Sequence, residues 1–371
     1  MPRARDIGLA VGPLPVGATN SIIDVPGVGV GHATVFRDEP DPPVGRGVAR
    51  TGVTVVHPGG NTFASPVPFG SSVLNGAGEV TGLLGGCEWG LMETPVFLTS
   101  TMQLGRVYDA ACQLLIEENP EIGPDEVVIP VVGECDDSFL NDARRMQVTL
   151  DDVRSALDTA RASVGGDEAP AEGGVGSGTG MTCLGWKGGI GTSSRVVPSG
   201  HTVGVLLMSN FGEPGRLTVD GVRVGDHLVP EPLTGEAIDP GPKGSCIVVV
   251  GTDAPVDSPT CDRLARRAGL GLARTGSTAH HGSGEIFTAF ATGLRARRGQ
   301  VTTVQPMRGR DLDPLFAAVV DATEEAVLNS MLQASTTRGR SGNTVHALPV
   351  DDVVALLGRY GRSAGLARPT R

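Results

Sequence analysis

The residues with the most chemical promise are Gly244-Ser245, which precede the apolar run Cys246-Ile247-Val248-Val249-Val250 and the turn-forming Gly251-Thr252-Asp253-Ala254-Pro255. A serine released by cleavage of the bond before it would carry a hydroxyl and a free α-amine on adjacent carbons. That amine ionises at about 7.7–8.0, so near neutral pH it can take the hydroxyl proton and act as the base a nucleophile needs. Glycine at 244 lets the backbone before the serine adopt strained or positive-φ conformations and leaves its carbonyl open to attack. Taken alone, the dipeptide fits a turn glycine entering a buried strand better, because Gly-Ser before an apolar run is common strand punctuation.

Three further groups can join such chemistry. Ser283 and Glu285, in Gly282-Ser283-Gly284-Glu285-Ile286-Phe287, are two residues apart, so at the start of a strand both project from one face. A hydroxyl beside a carboxylate can orient an amine, relay a proton or hold another hydroxyl; a turn serine with a solvated edge glutamate is the plainer reading. Asn210, between the apolar Val203 to Met208 and Phe211-Gly212, can offer an amide to a developing oxyanion, although strand-ending asparagines are common. No Gly-x-Ser-x-Gly elbow, HExxH or paired-cysteine motif occurs. His280 and His281 are adjacent and would face opposite ways in a strand, which suits a structural or surface role better than a shared metal. The glycine-rich run Gly174 to Gly180 lacks a following Gly-Lys-Ser/Thr and fails the dinucleotide spacing. Neither a metal nor an organic cofactor is expected.

The elements that must position these groups alternate along the chain. Thr51 to Val56, Pro95 to Thr99, Val127 to Val132, Thr202 to Met208, Cys246 to Val250 and Ile286 to Ala291 read as buried strands. Leu104 to Glu118, Leu150 to Ala162, Pro259 to Ala268, Pro314 to Gln333 and Val350 to Tyr360 carry helical spacing, with Ser258 and Asp313 as caps ahead of first-turn prolines. The pattern predicts layered α with β. Ser163 to Gly180 reads as a loop, a linker or an active-site flap.

With 371 residues and 39% hydrophobic composition, the chain can bury a large core. Its 55 glycines and 27 prolines are spread between apolar segments, which implies many tight turns rather than low complexity. Only 4% of residues are aromatic and the net charge is -11, so stacking platforms are scarce and polyanions are repelled; nucleic acid is not an expected partner. Acidity would attract substrates bearing an ammonium group, and it serves solubility at least as well. Cys87, Cys112, Cys135, Cys183, Cys246 and Cys261 lie among apolar or small neighbours and read as reduced and mostly buried. No signal-like apolar stretch follows the charged start, and no run nears the roughly 20 residues of a membrane span. A soluble, cytoplasmic protein with no membrane partner is expected.

Read together, these segments take on a family likeness. Gly178-Thr179-Gly180-Met181-Thr182-Cys183-Leu184-Gly185-Trp186-Lys187-Gly188-Gly189-Ile190-Gly191-Thr192-Ser193-Ser194-Arg195 closely resembles a signature of the P1 family of aminopeptidases, the L-aminopeptidase D-esterase and β-aminopeptidase group of the DmpA type. Asp24 to Val28 with Gly31-His32, Asn75 to Gly82, Leu140-Asn141-Asp142, Asn210-Phe211-Gly212 and the Gly-Ser and Ser-Gly-Glu segments resemble the same family in order along the chain.

The resemblance implies a single-domain, self-processing N-terminal-nucleophile-like hydrolase with a four-layer αββα sandwich, assembled as a homotetramer. It implies cleavage into a 1–244 long chain and a 245–371 short chain of 371 − 244 = 127 residues. Carried over by motif, Ser245 is the nucleophile, Ser283 and Glu285 support it and bind the substrate amine, and Asn210 stabilises the oxyanion. Lys187 and a Thr192-Ser193-Ser194 turn would line the site by their place in the signature. The implied reaction is hydrolysis of the N-terminal residue of small peptides, amides or esters with a free amine. Related self-cleaving folds that transfer acyl groups or hydrolyse oligoamides use threonine at the cut, so Ser245 favours the aminopeptidase branch; an unprocessed binding protein is the remaining alternative. Phe139 stands where a tyrosine is expected before Leu-Asn-Asp, which removes a phenol and can alter substrate preference. Cys246 should face away from the Ser245 side chain.

Overall fold

An apolar residue at every position from 246 to 250 requires a strand buried on both faces, and the computed structural model, which describes residues 1–230, 243–295, 297–300 and 303–362, places it so. Cys246, Val248 and Val250 enter one hydrophobic core, while Ile247 and Val249 enter another. Among the described residues, nine strands longer than two residues make up most of the two large sheets: β1 (Gly29–Arg37), β2 (Ala49–His57), β3 (Val67–Gly76), β4 (Val96–Ser100), β5 (Val131–Cys135), β6 (Gly189–Val196), β7 (Thr202–Asn210), β8 (Lys243–Thr252) and β9 (Gly282–Ala291). One sheet has the order β1-β2-β4-β5. The other has the order β3-β9-β8-β7-β6, with the two-residue strand Leu91–Met92 outside β3. Pairing is antiparallel except for β4 with β5 and β8 with β9.

Among the described residues six α-helices complete the frame: α1 (Leu83–Trp89), α2 (Leu104–Glu118), α3 (Leu150–Ala162), α4 (Ser258–Thr275), α5 (Asp313–Leu332) and α6 (Val350–Arg359). Three cores separate four layers. Val107, Ala111, Val153 and Leu157 of α2 and α3 pack on Val53, Val55 and Phe97 of the first sheet. Val56, Leu98 and Val131 meet Leu206, Met208, Ile247 and Phe290 between the sheets. Leu264, Ala268, Val319 and Ala322 of α4 and α5 cover Val205, Val248 and Phe287 on the far side. The chain is therefore an αββα sandwich, as the motifs implied.

The strongly periodic helices α2 and α3 have the expected bounds; α4 runs on to Thr275 because Gly271 and Leu272 are also buried. The caps fall one residue away from expectation. Asp257, not Ser258, caps α4, accepting from the Thr260 N–H at 3.2 Å, and Asp313 opens α5 behind Leu312. The strand expected over 127–132 lies instead at Val131–Cys135, since Pro130 lacks a ladder donor and Val127 and Ile129 are exposed. The second half of the Ser163 to Gly180 loop is no flap: Gly176, Ser177 and Gly178 are buried, with the Gly176 and Ser177 N–H groups donating to Thr34 and Thr54 at 2.8 and 3.1 Å. Four cysteines are buried, Cys112 is half-buried, Cys87 is exposed, and all six are free thiols. Among the described residues no helix is long and apolar enough to cross a membrane.

Close approach of α3 to β1 depends on two glycines in the Gly29 to Gly31 stretch. A Cβ on Gly31 would sit 2.1 Å from the Ala156 carbonyl oxygen, and one on Gly29 would sit 1.9 Å from that of Ala160. Gly31→Ala should therefore push α3 away from the sheet at an overpacking cost of about 1–3 kcal/mol. Differential scanning calorimetry should show a lower unfolding midpoint, and an unchanged midpoint would refute the contact's importance.

Candidate functional site

The two neighbours of β8 bring the expected residues to one end of the sheet. In the antiparallel register of β7 and β8, Asn210 lies opposite Ser245. In the parallel register of β8 and β9, Ser245 lies opposite Gly284, with Ser283 beside Gly244 and Glu285 beside Cys246. Ser245 is 5% exposed, and its hydroxyl lies beside the Cys135 thiol without the geometry of a hydrogen bond. Cys246 is buried in the core under α4 and α5, so its thiol faces away from Ser245 as expected. Gly244 must be glycine here, because a Cβ would lie 2.7 Å from the Asn210 carbonyl oxygen and 2.8 Å from the Phe211 Cα.

Ser283 and Glu285 share a face, and the Ser283 hydroxyl donates to Glu285 Oε1. Glu285 is fully buried and its Oε2 has no hydrogen-bond partner among the described residues. Burial raises its carboxyl above the ordinary range, and the Ser283 hydroxyl partly offsets this. Asn75 closes the neighbouring turn by donating to the His280 carbonyl at 2.6 Å, while His280 itself lies 3.8 Å from Glu213, away from any metal-like cluster.

The amide of Asn210 is held at both ends. Its Oδ1 accepts from the Thr182 N–H at 2.9 Å, and its Nδ2 donates to the Asp136 carbonyl at 2.9 Å. Thr182–Cys183 pairs with Trp186–Lys187 around Leu184 and Gly185, whose φ values of 50° and 80° make a two-residue hairpin turn of the primed kind. This hairpin closes over the strand end, since the Leu184 N–H donates to the Phe211 carbonyl at 2.6 Å. The signature is thus a clasp on the Asn210 strand.

Lys187 and Thr192-Ser193-Ser194, expected along the site, lie elsewhere. The Lys187 ammonium is buried among main-chain carbonyls. Residues 192–194 form no turn but belong to β6, where the Ser193 and Ser194 hydroxyls donate to Asn20 and Asp24 at 2.9 and 2.6 Å. Leu140-Asn141-Asp142 is also structural: Asn141 accepts from the Arg50 N–H and donates to Asp137 Oδ1, both at 3.0 Å. The Phe139 carbonyl accepts from Asn343 at 2.7 Å, a main-chain bond that needs no phenol.

Sequence reasoning passed over Glu134. It is buried, accepts from the Glu79 N–H at 2.9 Å and from the Thr101 hydroxyl, and burial raises its carboxyl. A Cβ on Gly78 would lie 3.2 Å from Glu134 Oε1 and 3.7 Å from the Gly284 Cα, so one glycine separates this carboxylate from the strand position opposite Ser245. Beside it opens a cavity of about 460 Å³ lined by Gly78, Val80, Leu84, Ile129 and Ile286 among others. The available signal was a lone glutamate inside the apolar run Val131-Val132-Gly133-Glu134-Cys135. Among the described residues no group of His, Cys, Asp or Glu is arranged to hold a metal.

Asp137, next to the Asn210 acceptor, is pushed up to about 7 by burial, against the pull of nearby hydroxyls and Asn141. An unfolded aspartate releases its proton near 3.9. Between these values the folded chain binds more protons, so stability falls as pH rises through that window. Asp137→Asn should remove this slope in urea denaturation, and a wild-type-minus-variant difference that stays constant from pH 4 to 7 would contradict it.

The Peptidase family S58 model matches residues 20–345. The beta-peptidyl aminopeptidase BapA of Sphingosinicella xenopeptidilytica is 39% identical over 372 residues, covering 96% of this chain and 91% of the relative. Its namesake from Sphingosinicella microcystinivorans is 39% identical over 380 residues, covering 98% and 93%. Among solved structures, the L-aminopeptidase D-Ala-esterase/amidase of Ochrobactrum anthropi, described as a prototype for the serine aminopeptidases and a variant of the Ntn hydrolase fold, superposes with a TM-score of 0.88 at 36% identity, over 98% of this chain and all of that one. A Burkholderia sp. beta-aminopeptidase gives 0.87 at 37% identity, over 99% and 100%.

Proposed function

The chain belongs to peptidase family S58, a hydrolase of the aminopeptidase kind on an Ntn hydrolase fold, and from that premise we propose that it cuts itself between Gly244 and Ser245 and uses the new terminus as its nucleophile. The observation that carries this reading is the register of β8: Ser245 stands between Asn210 on one neighbouring strand and the Ser283-Gly284-Glu285 segment on the other. In the uncut chain the Ser245 hydroxyl attacks the Gly244 carbonyl, the acyl group moves from nitrogen to oxygen, and water hydrolyses the resulting ester. The products are the 1–244 carboxylate and a free amine at Ser245.

In the mature enzyme the hydroxyl adds to the substrate carbonyl while the α-amine accepts its proton. The amine returns the proton to the leaving amine or alcohol, and water then releases the acyl group by the same route in reverse. One Nδ2 hydrogen of Asn210 is committed to Asp136, and the other donates to the tetrahedral oxyanion together with a main-chain N–H. The Ser283–Glu285 pair flanks the start of β8 and holds the amine end of the site. Glu134 and Glu285 supply the buried carboxylates that an ammonium-bearing substrate needs. Small peptides, amides or esters with a free N-terminal amine are the substrate class, and the assembly is a homotetramer, which light scattering of the purified protein would verify.

Ser245→Ala should remain a single 38.0 kDa chain by intact mass and release no product from alanyl or β-alanyl amides, because one hydroxyl serves both steps. Fragments ending at Gly244 in that variant would sink the proposal, as would wild-type protein that stays whole after prolonged incubation. Glu285→Gln should lower kcat by at least about tenfold while the unfolding midpoint changes little; parallel losses of activity and stability would make the carboxylate structural.

A further inference from the structure

The hairpin that clasps the Asn210 strand is held from beneath by a buried lysine without an acidic partner, whose amine burial pushes down to about 7. Lys187 is fully buried, and its Nζ donates to the carbonyls of Gly178 at 3.1 Å, Met181 at 2.9 Å and Gly188 at 2.7 Å. These three bonds use every donor of the ammonium. Burying a lysine without a counter-ion is costly, so an apolar side chain of the same length would sit here more cheaply if filling space were the only need.

The Met181 carbonyl and the Thr182 N–H are the two ends of one peptide group. The ammonium engages its oxygen, and the Asn210 Oδ1 accepts from its nitrogen at 2.9 Å. In the hairpin, Cys183 and Trp186 are the pair next to the two-residue turn, so the Thr182 and Lys187 N–H groups point outward. They reach Asn210 and the His346 carbonyl. We infer that Lys187 is a positioning residue for the reaction: through the Met181–Thr182 peptide group it orients and polarises the Asn210 amide set opposite Ser245. The lysine donor on the Met181 carbonyl makes the N–H at the far end of the peptide group a stronger donor, and that donor in turn draws charge from Oδ1 and strengthens Nδ2–H toward an oxyanion. The strained Leu184-Gly185 turn fixes the same hairpin, since a Cβ on Gly212 would lie 2.4 Å from Leu184 Cδ2.

This inference rests on the reading of Asn210 as an oxyanion donor, and a double-mutant cycle separates the two. Lys187→Met, Asn210→Ala and the double variant would be compared for self-cleavage rate and for kcat and KM on alanyl and β-alanyl 4-nitroanilides, counting active sites by titration. Asn210→Ala should lower kcat on the order of 10²–10³. Lys187→Met should lower kcat about tenfold with KM within about twofold, and should cost nothing further in the Asn210→Ala background. Losses that multiply in the double variant overturn the inference and leave the Asn210 reading standing. Wild-type kcat in Asn210→Ala overturns both. Should Lys187→Met fail to fold, an amide-to-ester replacement at Thr182, made with the α-hydroxy analogue of threonine, removes the linking N–H while keeping the side chain, and that N–H lies outside the hairpin ladder. It should reproduce the kcat loss and its absence beside Asn210→Ala; unchanged kcat in the Thr182 ester overturns the inference.

Discussion

The parallel pairing of β8 with β9 determines which residues meet at the start of β8. Parallel neighbours need a crossover, and α4 supplies it on the outer face of the sheet. A slip of one residue would send Ile247 and Val249 out of the inter-sheet core and bring Cys246 and Val248 in. Both sets are apolar, so it is the close packing of Ile247 and Val249 between the sheets and of Cys246, Val248 and Val250 under the helices that holds the register. The register in turn sets Gly284 and Asn210 beside Ser245.

The far edge of that sheet carries a different constraint. The β6 strand buries Thr192, Ser193, Ser194 and Arg195, so its polar groups must be satisfied by protein. Glu325 of α5 accepts from Arg195 at 2.6 Å, from Arg5 at 3.0 Å and from Asn20 at 2.6 Å, while Arg195 also reaches the Val11 carbonyl at 2.8 Å. Asn329 accepts from the Ala4 N–H and donates to the Thr192 carbonyl. The first two dozen residues are thus threaded through a buried ion-pair network. Removing one member of such a network leaves an uncompensated charge, typically at a cost of about 3–5 kcal/mol. This explains how α5 can be buried along nearly its whole length while carrying Glu325 and Asn329; its Asp321 and Glu324 accept instead from Arg274, at 2.7 and 3.1 Å.

That network also marks the limit of what was legible in the sequence. Strands and helices whose burial is apolar, such as β2, β7, β8, α2 and α3, follow from periodicity because water sorts their side chains. Within β6, Thr192-Ser193-Ser194 reads as a polar turn, because partners of the strand lie about 130 to 190 residues away in chain and their bonds leave no local pattern. Ser245, Asn210, Ser283 and Glu285 each read alone as an ordinary polar residue at a strand end, and the family resemblance joined them into a set; the registers of β7, β8 and β9 bring them to one end of the sheet. Glu134 escaped notice because one glutamate in a buried run carries no partner in its own sequence, and Lys187 was misplaced because membership of a signature does not say which way a side chain points.

The proposed cut resolves a conflict built into the start of β8. Lys243 and Gly244 occupy ladder positions beside Gly282 and Ser283, and the Asn210–Phe211 backbone presses on Gly244 so closely that no side chain fits. While the chain is continuous, the Ser245 nitrogen is an amide with no basic lone pair, and the acyl position in front of its hydroxyl is filled by the protein's own Gly244 carbonyl. Cleavage changes both conditions at once. It converts the amide into an amine that can take a proton near neutral pH, and it frees the residues before the cut to leave the ladder. On the proposed mechanism the space they vacate would be bounded by Asn210 on one side and Ser283 on the other, so the first substrate of the site would share its geometry with every later one, an acyl carbonyl presented between the same side chains.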